Sequence, residues 1–163
     1  MYGQYFYYNN HTSQEFHLLM GGFDYTEDVE LGLSRSVYKG SFSTVRKIPN
    51  FMGAEYADTL SFRVSCIKDP CEFPAQEDAI FTEDEVDAIT SWLTEPSYPT
   101  LFHMYDYDPD VYRKYDYFAV VTDIQPQVFG GDVWGFDITF ETNAPYAWSE
   151  LITREYSNSG TTT

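Results

Sequence analysis

Three aspartates alternate in the stretch DYDPDVYRKYDY (106–117): Asp106, Asp108 and Asp110. A calcium loop presents its first three side-chain ligands at this spacing. Such a loop also needs Gly at its sixth position and Glu at its twelfth, where this chain has Val111 and Tyr117. A hairpin tip with solvated carboxylates fits the stretch better. Cys66 and Cys71 enclose four residues, close enough to bridge, but a reducing compartment favours two free thiols. A zinc site would need two further ligands, and His11, His17 and His103 lie far off in sequence. Those histidines are scattered, and each reads as a strand or turn residue rather than a catalytic base. No nucleophile elbow, Gly-rich phosphate loop or His-Glu-x-x-His pattern occurs. The sequence therefore assigns no catalytic residue, no metal ligands and no cofactor.

Charge carries more information than these motifs. The chain holds 26 acids and 9 bases, a formal −17, which disfavours a nucleic-acid-binding surface because phosphates are repelled. Six bases, Arg35, Lys39, Arg46, Lys47, Arg63 and Lys68, fall between residues 35 and 68 against only Glu55 and Asp58, a net +4. The remainder, with 24 acids and three bases, is −21. Residues 77 to 87 hold six acids and no base, beginning with Glu77 and Asp78. An unevenly charged solvated surface is one reading. The other is a basic arm made to lie on an acidic neighbour.

The elements that position these residues follow from pattern. FTEDEVDAITSWLTEP (81–96) predicts the one helix, over about 82–94. Thr82 and Glu85 have capping-box spacing, Phe81 and Val86 the spacing of a hydrophobic staple, and Glu83, Asp84 and Glu85 complement the helix dipole. Val86, Ile89, Trp92 and Leu93 form one apolar stripe, and Pro96 stops the helix.

Elsewhere the chain reads as strands, in keeping with 19% aromatic residues. Strands are expected at 2–8, followed by an Asn9-Asn10-His11 turn, and at 15–20, closed by Gly21-Gly22. Val29, Leu31 and Leu33 suggest a third. Residues 36–48 read as loosely extended, and IPNFMGAEY (48–56) as a loop with Pro49, Asn50 and Gly53 as breakers. Leu60, Phe62, Val64 and Cys66 alternate cleanly with polar residues, and strands follow at 100–107, 115–124 and 133–142. An α+β fold, mainly β, results: an antiparallel β-sandwich or split barrel with one short helix and an extended arm or hairpin. One domain is expected over 1–152, with 153–163 a flexible Ser/Thr tail or the start of a linker. No run of 18 apolar residues exists, so no membrane-spanning helix is expected. The N-terminus lacks the marks of a secretory signal, so synthesis in a cytoplasm is expected.

The order of these pieces resembles the N-terminal domain of the distal tail protein family of long-tailed bacteriophages. The resemblance runs from an aromatic strand and polar turn (YFYYNNHTSQEF) through IPNFMG, LSFRVSC, ITSWL and LFHMYDYD to FETNAPYAWS. ITSWL (89–93) and NAPYAWS (143–149) are its most specific parts, and Asn50 departs from the Gly usual after Ile-Pro. The resemblance implies a non-enzymatic virion protein of the tail tip, made in the host cytoplasm. It implies a homo-hexameric ring between the tail tube protein and the tail-tip, tail-associated or fibre proteins, with an arm reaching the next subunit. Members often carry a second, galectin-like domain; either this chain is a short member or the sequence stops at a domain boundary.

A closed ring needs two different surfaces per subunit. Arg35, Lys39, Arg46 and Lys47 on one side and Glu77 and Asp78 on the other supply the expected pair. Surplus acids are expected to line the lumen, where DNA passes without specific binding. A tail tube subunit is the alternative within this architecture. A carbohydrate-binding module using surface Tyr and Trp on host cell-wall glycan is the alternative from another class.

Overall fold

The computed structural model of the chain describes residues 4–21, 35–42, 49–56, 59–111 and 115–149. The strands are β1 (Tyr5–Tyr8), β2 (His11–Thr12), β3 (Leu18–Met20), β4 (Arg35–Phe42), β5 (Pro49–Tyr56), β6 (Ser61–Lys68), β7 (Thr100–Tyr105), β8 (Tyr115–Phe129), β9 (Asp132–Thr142) and β10 (Trp148–Ser149). One α-helix, α1 (Glu83–Thr94), lies between β6 and β7. The main sheet runs β2-β1-β7-β8-β9-β6-β3, with β10 also paired to β8, and all its pairings are antiparallel. β4 and β5 form a separate two-stranded ribbon.

The sheet is open but curls until its ends approach. At the seam, the Met20 N–H of β3 donates to the Gln4 carbonyl beside β1 at 2.8 Å. Aromatic rings from strands far apart in the sheet meet inside: Phe6 and Phe140 at 5.9 Å, Phe62 and Phe102 at 5.1 Å. The expected α+β, mainly β fold is present in its split-barrel form. Stacked aromatics add roughly 0.5–1.5 kcal/mol per pair beyond the area they bury.

Helix α1 closes this core. Thr82 and Glu85 form the capping box, Ile89, Trp92 and Leu93 are buried, and Phe81 and Val86 both join the core. Trp92 stacks on Phe16 at 4.3 Å, and its indole N–H donates to the Tyr8 carbonyl at 3.0 Å. The Asn9-Asn10 turn has both residues at positive φ, as a two-residue type I′ hairpin turn requires. The Asn9 amide also donates to the Trp92 carbonyl (3.4 Å) and to Glu95 (2.9 Å), tying that turn to the helix end.

The structure differs from the sequence pattern at three places. Residues 15–20 are not one strand: Ser13–Phe16 form a 3-10 turn, and only Leu18–Met20 pair. Thr12 and Glu15 make a second capping box, which starts that turn, and His17 ends it in the left-handed region. Residues 49–56 are a strand rather than a loop. Pro49 sits at its first position, and Gly53 takes φ 126° where the β4–β5 register shifts, so a bulge absorbs the breakers. β8 continues past Ile124 through Pro126 to Phe129. Beyond Ala119 its only strand partner among the described residues is β9, so the missing proline N–H is tolerated.

The expected strand around Val29, Leu31 and Leu33 and the Ser/Thr tail lie outside the described residues. Among the described residues no helix is long and apolar enough to cross a membrane.

Candidate functional site

The alternation that buries Phe62, Val64 and Cys66 carries on to Lys68, which therefore points inward. Its ammonium lies 2.9 Å from Glu85 Oε1, donates to the Ile80 carbonyl at 3.2 Å and sits 4.4 Å over the Phe73 ring. Glu85 also accepts the Thr82 N–H at 2.8 Å. Partial burial would raise the Glu85 carboxyl, but the Thr82 N–H and Lys68 outweigh it and hold the group below the ordinary carboxylate range. Lys68 and Glu85 thus satisfy each other within the chain. The basic run loses one member and the acidic run another.

What remains of the basic run divides between two places. Arg63 is exposed on β6 of the main sheet. Arg35 and Lys39 lie on β4, one strand of the separate ribbon. Arg46 and Lys47 fall in the connection between β4 and β5, outside the described residues. On the ribbon, Val37 and Tyr38 are exposed, and the Tyr38 hydroxyl donates to Glu55.

The acidic side sits on a 3-10 turn, Gln76–Ala79, between β6 and α1. Glu77 and Asp78 are exposed there, and the Asp78 N–H donates to the Ala75 carbonyl at 3.0 Å. Beside them a shallow, open depression is lined by Ala75, Gln76, Glu77, Ile80 and Trp134. Trp134 comes from β9, and its indole N–H donates to the Phe129 carbonyl at 3.2 Å. No sequence pattern connects Trp134 with Glu77. The signal available was that Glu77 and Asp78 precede the helix, where the dipole gives no reason for acids. Lys and Arg are absent from 69–111 and from 115–149.

The remaining candidates are structural. Asp108 accepts the Asp110 N–H at 3.0 Å in a local turn, and no metal-binding group of His, Cys, Asp or Glu occurs among the described residues. Cys66 and Cys71 are free thiols; burial, with Asp137 adding to it, pushes the Cys66 thiol far up. His11 pairs with Glu15 at 2.8 Å and His17 with Glu72 at 2.6 Å. His103 stacks on Tyr7, with ring centres 4.8 Å apart, and lies 3.7 Å from Asp116. On β8 and around β10, Phe118, Tyr146 and Trp148 form an exposed aromatic group. Trp148 meets the other two at steep interplanar angles, 80° to Phe118 and 65° to Tyr146, so the group offers no flat platform.

A family model described as phage tail protein N-terminal domain matches residues 1–144, and the chain belongs to that family. Among solved structures, the crystal structure of the SPP1 Dit (gp 19.1) protein matches with a TM-score of 0.55 at 10% identity. That protein is described as a paradigm of the hub adsorption apparatus in phages infecting Gram-positive hosts. The match covers 90% of this chain and 52% of the Dit chain, so this chain spans about half of its length. No curated protein matches the sequence.

Proposed function

We propose that this member of the phage tail protein N-terminal domain family is a structural subunit of the tail tip, with no reaction of its own. It assembles into a six-membered ring that joins the tail tube protein to the tail-tip, tail-associated or fibre proteins. Residues 1–152 are the ring-forming domain. The chain is made in the host cytoplasm and resides in the virion tail, not in a membrane.

One observation carries this reading. Four of the nine bases lie on the β4–β5 ribbon or in its connection in sequence, and among the described residues that ribbon pairs with no other strand, while 69–111 and 115–149 contain no Lys or Arg at all. Two surfaces of opposite charge suit heterologous contacts, which close into a ring when the rotation between neighbours closes. Arg35, Lys39, Arg46 and Lys47 are assigned to the donating surface, Glu77 and Asp78 to the receiving one. The fold likeness to a hub adsorption protein supports the placement at the tail tip. The surplus acids partly line the lumen, where they keep passing DNA from binding.

Negative-stain microscopy of the purified chain tests the ring, and antibody labelling of virions tests its place. Six-fold rings and label confined to the tail tip are expected. Label distributed along the tail would make the protein a tube subunit instead. Phe118, Tyr146 and Trp148 are exposed but form no flat platform, so they do not favour the alternative of glycan binding. Retention of the chain by purified host cell walls, abolished by Trp148→Ala, would support it.

A further inference from the structure

We infer that the pair Tyr5–Asp69 is the latch of the split barrel, and that its release lets the short edge strand β3 leave the seam while α1 and the β8–β9 hairpin stay folded. Tyr5 stands on β1, toward one end of the sheet, and Asp69 directly follows β6, toward the other. Across the seam the Tyr5 hydroxyl donates to Asp69 Oδ2 at 2.6 Å, and both residues are buried. Asp69 is fixed from behind. Its Oδ1 accepts the Cys71 N–H at 2.8 Å, and its own N–H donates to the His17 carbonyl at 2.8 Å, just ahead of β3. The Tyr5 ring stacks on Tyr105 with centres 5.7 Å apart, which aims the hydroxyl. Burial, with the Asp69 hydrogen bond adding to it, pushes the Tyr5 hydroxyl far up, so it stays a donor. A hydrogen bond to a carboxylate contributes more than one between neutral groups.

The strand that this latch secures is small. β3 has three residues, pairs with β6 through Leu18–Met20, and meets the β1 side where the Met20 N–H reaches the Gln4 carbonyl. Its apolar anchor is Leu18, which is fully buried. By contrast β6 pairs with β9 from Ser61 to Ile67, and β8 with β9 from Ala119 to Phe129. Short edge elements open locally at a lower free energy than the strands at the centre of a sheet. The seam also carries its own reporter. Cys66 is fully buried in the core and lies opposite Met20 in the β3–β6 pairing, so its thiol meets solvent when β3 leaves.

Thiol labelling of the full chain with Ellman's reagent tests the latch. Cys71 is exposed and is first replaced by Ser, so that Cys66 reports alone. Local opening exposes little surface, so the Cys66 labelling rate is expected to stay nearly flat at low urea and to climb only as global unfolding takes over. Adding Tyr5→Phe should raise the low-urea rate about tenfold, the effect of one lost charge-assisted hydrogen bond. Thr142→Val is the control. It removes another buried hydroxyl, one bonded to the Leu60 and Ala144 carbonyls, and should leave the low-urea rate unchanged. A rate that climbs steeply from the lowest urea in the chain that keeps Tyr5 would mean that Cys66 is reached only by global unfolding, and overturns the inference. So does an unchanged rate in Tyr5→Phe, or an equal rise in Thr142→Val. If Tyr5→Phe does not fold, the urea dependence of the chain that keeps Tyr5 decides alone.

Discussion

Lys68, the last residue of β6, holds Glu85, in the first turn of α1, at 2.9 Å with 5% of the lysine side chain exposed. One carboxylate therefore caps the helix and neutralises an inward-pointing lysine, so the helix start and the sheet are fixed to each other. Glu85→Gln keeps the capping geometry but leaves the ammonium without its counter-charge. Glu85 is 30% exposed, so the expected loss of unfolding free energy is modest, about 1–3 kcal/mol. Adding Lys68→Met should recover much of it. Urea denaturation of the three chains checks this, and a neutral Glu85→Gln would show that the pair does not hold the helix.

Gly135 marks a close approach of two backbones. A Cβ built there would lie 2.4 Å from the Cys66 carbonyl oxygen, and β6 pairs with β9 at this point. A carbonyl held in a strand ladder cannot swing away. Gly135→Ala should cost about 1–3 kcal/mol, whereas Gly21→Ala, with nothing within 4 Å, should cost about 0.5 kcal/mol or less. Equal melting temperatures for the two variants would contradict the packing at the β6–β9 contact.

Acid should weaken the fold through His103. Burial holds its pKa below the ordinary 6.5, with Asp116 opposing in part. The unfolded chain then binds the proton first, so the stability this group contributes is present above its unfolded pKa and shrinks as pH falls through 6.5. Glu15 and Glu85 are held below 4.5, and their contribution is lost at lower pH, as it falls through their folded values. Relief of the overall negative charge acts in the opposite direction, so the useful quantity is a difference between chains. Wild type minus His103→Asn should decline from about pH 8 to about pH 5.5. A flat difference would mean that His103 is not held neutral.

Much of the fold was legible because local signals agreed with one another. Thr82, Glu85 and the Ile89–Leu93 stripe define α1 without tertiary help, and the alternation through Phe62, Val64 and Cys66 defines β6. β5 was illegible because its Pro, Asn and Gly are breakers by composition. Pairing with β4 and a bulge at Gly53 override that, and neither is a local property. The Thr12–Glu15 capping box could have been read, since it is the signal that located α1. At the candidate interface, sequence supplied the charges but not Trp134, which stands 57 positions from Glu77 in the chain and meets it only through the fold. Nor could charge counting show that Lys68 is spent internally; the inward phase of β6 decides it.

Reversing Arg46 and Lys47 to Glu should weaken association, most clearly at low ionic strength, where screening is least. Sedimentation of wild type and variant at low and high salt checks this. Association of the variant equal to wild type at low salt would remove the ribbon's charge from the account.

The central claim is a ring, and mass photometry of the purified, unsubstituted chain tests it most directly. The account predicts one dominant species near six times the 18.9 kDa protomer mass. A strictly monomeric distribution, unchanged across protein concentration and ionic strength, would contradict it.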